Sequence, residues 1–137
     1  MARAPRIEEE RKPHDALDGA PLPRQTATLI GHAAAEHALL DAYRSGRMHH
    51  GWIISGERGI GKATLAFRLA RFIFAHPDPG TPEVMQATEL SVPVDHPAAR
   101  RVSAGAHPNL LHVQREWNEK SAKYRTGISV DTIRRIN

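Results

Sequence analysis

Gly56-Glu57-Arg58-Gly59-Ile60-Gly61-Lys62-Ala63-Thr64 is the stretch that decides how this chain is read. The spacing G-x-x-x-x-G-K is met at Gly56, Gly61 and Lys62. Glycines at such positions let backbone N–H groups turn inward around phosphate oxygens, and the lysine adds a point charge for the β- and γ-phosphates. The next position calls for a Ser or Thr hydroxyl that ligates Mg²⁺, and Ala63 stands there instead. The expected phosphate-binding set is Gly56, Gly59, Ile60, Gly61, Lys62, Ala63 and Thr64, with one metal ligand withheld. Arg58 also lies inside the loop, where side chains generally point to solvent while N–H groups point in.

Both flanks suit a phosphate loop. Ahead of it, Gly51-Trp52-Ile53-Ile54-Ser55 reads as a short buried strand, with Trp52 in the core. Behind it, Leu65, Ala66, Leu69, Ala70, Phe72 and Ile73 recur at helical spacings, which predicts a helix running to about Ala75. Arg68 and Arg71 fall on its opposite side, the side expected to face water. Strand, glycine loop and helix together place the helix N-terminus, with its partial positive charge, at the anion.

Further out, residues 1–24 are polar, charged and Pro-rich and read as a mobile arm. Domain 25–137 begins with Leu29-Ile30-Gly31-His32, followed by a helix expected to bury Ala35, Ala38, Leu39, Ala42 and Tyr43 and to stop at Gly46. Prolines and glycine at 77–82 open an irregular insertion over 77–107, with one short helical stretch near Pro97 to Ala104. Asn109-Leu110-Leu111-His112-Val113 reads as a second strand, and 115–126 as an exposed hairpin or loop. Asp131 is the expected N-cap of a last helix.

Composition narrows the function classes. The chain has 137 residues, a net charge of +4 and no cysteine, which excludes disulfides, thiolate zinc sites and a cysteine nucleophile. No apolar run approaches the roughly 20 residues of a membrane span. Glu8-Glu9-Glu10 near the N-terminus fits neither a secretory signal nor a transit peptide, so the cytoplasm is expected and no membrane partner. Arg100-Arg101 and the run Arg115, Lys120, Lys123, Arg125 are the densest basic places and read as solvated loops. His96, His107 and His112 do not form an ordered tetrahedral ligand set, so no zinc or other metal is expected.

Several segments together resemble one family. Leu29-Ile30-Gly31-His32, the run from Ser45 to Trp52, the loop with its helix start, His107-Pro108-Asn109-Leu110 and Ile128-Ser129-Val130-Asp131-Thr132-Ile133-Arg134 resemble bacterial clamp-loader ATPases of the AAA+ class. Among these the delta-prime subunits of DNA polymerase III are most similar, over about residues 26–136. The resemblance implies an α/β P-loop fold, a parallel sheet flanked by helices and incomplete at the C-terminus. It also implies work within a hetero-oligomer of clamp-loader subunits that places the sliding clamp on primed DNA. Many relatives carry cysteines binding a structural zinc between the loop helix and the next strand, and this chain has none there. Degraded phosphate loops are frequent among delta-prime subunits, which act as rigid partners, so Ala63 suits the resemblance.

The chemistry expected is weak ATP or ADP binding with little or no hydrolysis. Mg²⁺ would lose a direct ligand at 63, and Thr64, about 100° further round the helix, would point elsewhere. No apolar strand ending in Asp or Asp-Glu occurs between Thr64 and Asn137, and the sequence stops in mid-helix, which reads as truncation. Central strands missing from such a fragment would leave the apolar faces of its helices partly uncovered, and the isolated chain is expected to be loosely folded. The rival readings are an independently active P-loop ATPase or kinase, which Ala63 undermines, and a DNA-binding module, which lacks a concentrated basic face.

Overall fold

The computed structural model describes residues 12–136; residues 1–11 of the expected arm lie outside the described residues. A single 3₁₀ turn at Pro23–Gln25 precedes five helices and one ribbon: α1 Ala33–Arg44, α2 Lys62–Ala75, α3 Pro82–Gln86, α4 Pro97–Ser103, β1 Trp117–Asn118, β2 Lys123–Tyr124 and α5 Val130–Arg134. The helix boundaries follow local chemistry. Ala-rich α1 has high intrinsic propensity and ends where Gly46 takes φ 67°. Pro97 occupies the first turn of α4, where its missing N–H is no loss, and the His96 ring Nδ1 accepts from Ala98 N at 3.1 Å. Gly105 at φ 69° closes that helix. The cap of α5 is Ser129, whose hydroxyl accepts from Thr132 N at 3.3 Å. Asp131, expected to be the cap, lies inside the helix and pairs with Arg134.

The core forms where α1, α2 and the 84–90 segment meet, around Leu39, Leu40, Tyr43, Leu65, Phe72, Val84 and Leu90. On another side of α2, α4 seats Ala98, Ala99 and Val102. The insertion therefore supplies part of the packing of the loop helix. α1 turns a different face inward than its alanines suggest. Ala35 and Ala38 are exposed, and Glu36 is buried with Leu39, Leu40 and Tyr43. Large aliphatic and aromatic groups gain more from burial than alanine methyls do, so they set the rotation of the helix.

Arg68 and Arg71, expected to face water, are 6% and 5% exposed. Glu36 Oε1 accepts from Arg68 Nε at 3.1 Å, from Arg68 Nη2 at 2.5 Å and from Leu90 N at 2.7 Å. Arg68 Nη1 donates to the Ala27 carbonyl. Arg71 donates to Thr26 O at 2.8 Å and to Arg24 O. Burial, and then the neighbouring Arg68 charge, pull the Arg71 guanidinium below its ordinary pKa. These two forks tie residues 24–27 to α2, so this part of the polar N-terminal stretch is packed.

Among the described residues the only ladder is the antiparallel ribbon, Trp117 opposite Tyr124 and Asn118 opposite Lys123. It falls within 115–126, where the sequence leaves a hairpin or a loop open, and the hairpin is the one formed. The stretches 51–55 and 109–113 carry no strand pairing, and the parallel sheet expected around the loop is not formed by the described residues. Apolar content alone does not make a strand; ladder partners do. Trp52 is accordingly 41% exposed, with His49 edge-on to its ring at 5.6 Å. Uncovered large apolar side chains lie mostly in connecting segments, Ile30, Ile53, Val94 and Leu111 among them, and in the short helices α3 and α5. The expectation of partly uncovered helix faces is met in α3 and α5 and corrected for α1, α2 and α4, none of whose large apolar side chains is exposed.

Candidate functional site

The loop takes a conformation that its glycines make accessible. Gly56, Gly59 and Gly61 have φ of 148°, 84° and 103°, on the side of the map that side chains avoid. Gly61 is the N-cap of α2, and a Cβ added there would lie 2.7 Å from Leu29 Cδ1. At Gly56 the added Cβ would lie 2.5 Å from Ile60 Cδ1, so the Ile60 side chain folds back over the loop start. Gly61→Ala is expected to cost about 1–2 kcal/mol from the left-handed backbone alone, before the clash with Leu29. Thermal unfolding would register it, and an unchanged midpoint would mean that the loop does not hold this shape.

Lys62, first residue of α2, turns back over the loop and donates to Gly56 O at 2.8 Å and Glu57 O at 2.5 Å. His32, ahead of α1, contacts Ile60 O through Nε2 at 2.5 Å. A carbonyl can only accept, so Nε2 carries the proton and donates. The Leu29–His32 segment thus braces the loop through an apolar contact at Gly61 and a hydrogen bond at Ile60. Its place in the sequence, before a helix and far from the loop, gives no hint of that contact.

A cavity of about 620 Å³ opens against the loop, within the roughly 300–1,000 Å³ usual for small-molecule sites. Gly56, Gly59, Gly61, Lys62, Ala63 and Thr64 all line it. Ile60 does not, and contributes its carbonyl to His32 instead. Thr64, expected to point elsewhere, is buried and part of the lining. Arg58 lines the cavity as well, and so does half-buried Arg115, read from the sequence as part of a solvated loop. Residues 14–26 supply the rest of the lining, largely an aliphatic wall of Leu17, Ala20, Pro21 and Pro23 beside His14 and Thr26, with Asp15 the one carboxylate. Sequence reasoning missed this wall because a polar, Pro-rich stretch carries no periodicity to place it.

The histidines have other occupations. His96 caps α4, His107 stacks on Phe74 at 3.7 Å between ring centroids, and His112 meets Phe67 edge-on at 5.1 Å. Among the described residues no cluster of His, Asp and Glu could hold a metal ion.

The family described as DNA polymerase III, delta subunit, matches residues 31–137, which takes in His32, the loop and the hairpin. The chain belongs to this family. DNA polymerase III subunit gamma of Buchnera aphidicola subsp. Acyrthosiphon pisum (strain APS) is 41% identical to it over 49 residues, 36% of this chain and 14% of that one. Its namesake from Buchnera aphidicola subsp. Schizaphis graminum (strain Sg) is 35% identical over 49 residues, with the same coverage. The matched part thus spans 14% of the length of these curated relatives. No solved structure matches the chain. The family and the relatives are DNA polymerase III subunits of the clamp-loader type. Among the described residues of this family member, no helix is long and apolar enough to cross a membrane.

Proposed function

We propose that this chain carries the phosphate-loop portion of a delta-prime-type clamp-loader subunit, which holds ATP or ADP weakly and hydrolyses it little or not at all. The observation that carries this reading is Ala63. It lines the cavity at the N-terminus of α2, at the position where the motif needs a metal-binding hydroxyl. Such a subunit acts as a partner to other clamp-loader subunits in a hetero-oligomer, and meets the sliding clamp and primed DNA through that assembly in the cytoplasm. The fold that goes with this role is an AAA+-type parallel sheet in which 51–55 and 109–113 are strands, flanked by α1 and α2.

Capture of clamp-loader ATPase subunits by the tagged chain tests the role directly. Phosphoryl transfer to a small acceptor by the purified chain would instead support an independent kinase. Ala63→Thr is expected to raise nucleotide affinity in Mg²⁺ by about tenfold or more, the order of one contact to a charged group, with little change in EDTA. Equal affinities of the Ala63→Thr variant in the two buffers would count against the assignment of Ala63 as the defect.

A further inference from the structure

The cavity gathers cations that the loop motif does not require. Arg58 comes from the loop and Arg115 from the segment just ahead of β1, yet both line the cavity that Lys62 also lines. Asp15 is the one carboxylate in that lining, so cations outnumber acids there. Arg68 and Arg71 fill their forks with carbonyls and Glu36. Among the described residues, by contrast, Arg58 and Arg115 have neither an ion pair nor a hydrogen-bonded partner for theirs. Arg58 is exposed and Arg115 half-buried, so both guanidinium groups are open to an anion that enters the cavity.

Resting on the reading that this cavity takes a nucleotide, we propose that Arg58 and Arg115 replace the metal. The loop then holds a nucleoside di- or triphosphate without Mg²⁺. The physical basis is charge. In an ordinary phosphate loop the divalent ion, tethered by the Ser or Thr hydroxyl, neutralises much of the β- and γ-phosphate charge. Ala63 removes the tether. A guanidinium is permanently charged and matches phosphate oxygens with a planar fork, so two of them supply comparable charge without coordination chemistry. The aliphatic wall of Leu17, Pro21 and Pro23 offers a surface to a base, which a bare phosphate or a passing DNA backbone would not use.

Equilibrium titration of labelled ADP and ATP onto the full chain, once in Mg²⁺ and once in EDTA, tests this. Affinities within about twofold of each other in the two buffers are expected. In EDTA, Arg115→Ala and Arg58→Ala should each weaken binding by about tenfold, the order of one lost contact to a charged group. Arg115→Lys, which keeps the charge, should recover part of that loss, and Arg125→Ala, outside the cavity, should change nothing. Circular dichroism on each variant separates lost binding from lost folding. Binding that needs Mg²⁺ and ignores Arg115 would overturn the proposal while leaving the nucleotide-holding reading intact. Absence of ADP and ATP binding in both buffers would overturn both. Displacement of the label by a DNA oligonucleotide but not by unlabelled ADP would assign the cations to nucleic acid and overturn the proposal.

Discussion

Arg68→Ala is expected to lower stability by about 3–5 kcal/mol, the range for breaking a buried ion pair from one side. The guanidinium and the Glu36 carboxylate are both almost fully buried, so neither can recover hydration when its partner goes. The substitution would leave Glu36 with Leu90 N as its remaining hydrogen-bond donor and strip the Ala27 carbonyl of Arg68. Glu36→Ala should cost a similar amount, because it removes two hydrogen bonds and the close carboxylate from Arg68, leaving the Ala27 carbonyl and Glu89 at 4.0 Å, and orphans the Leu90 N–H. The double substitution should cost clearly less than the two single effects added, since the penalty is shared. Urea unfolding of the three variants measures this. Single losses below about 1 kcal/mol, or strict additivity, would show that the pair is not buried as described. The consequence reaches the cavity, because the same helix holds the 24–27 backbone, which continues from the aliphatic wall through the 3₁₀ turn.

Phe72→Ala is expected to cost about 3–5 kcal/mol, the transfer energy of a large ring plus the void it leaves. Its ring is 2% exposed, lies edge-on to Tyr43 at 6.1 Å and tilted against His76 at 4.7 Å. Tyr43 in turn donates its hydroxyl hydrogen to the His76 carbonyl, so the end of α2 is fastened to α1 around this ring. Ile53→Ala is the informative contrast. Ile53 is 95% exposed, and its truncation should stay within about 0.5 kcal/mol. Thermal melts of the two variants also address whether the isolated chain is loosely folded. A fixed interior separates the two substitutions sharply. A loosely folded chain would respond to both alike, and that outcome would reject the packing described around Phe72.

The helices were the most legible part of the sequence, except α3, which lies in the stretch read as irregular. The period of α2, the Gly46 stop of α1 and the Pro97 start of α4 all depend on residues within a turn or two of each other. At 115–126 the sequence leaves a hairpin or a loop open, and the Trp117–Tyr124 pairing decides it. The strands expected at 51–55 and 109–113 carry no ladder among the described residues, because a strand is completed by a partner that the sequence pattern does not locate. Within the site, the glycines and Lys62 could be read as a motif, whereas the His32 brace, the aliphatic wall and Arg115 could not.

What the sequence by itself determined is therefore local: a glycine loop able to reach φ of 148°, 84° and 103°, a helix beginning at Lys62, and an alanine where a hydroxyl belongs. Only the tertiary structure decided the fate of the charges. Arg68 and Arg71 lie on what the period of α2 marks as the wet side. They are buried because Glu36 and the carbonyls of Arg24, Thr26 and Ala27, which lie 32–47 positions away, accept hydrogen bonds from their forks. Arg115 looked like one more solvated cation and lines the phosphate-loop cavity instead. Desolvating a charge is unfavourable unless partners converge on it, and convergence over such distances is a property of the folded chain.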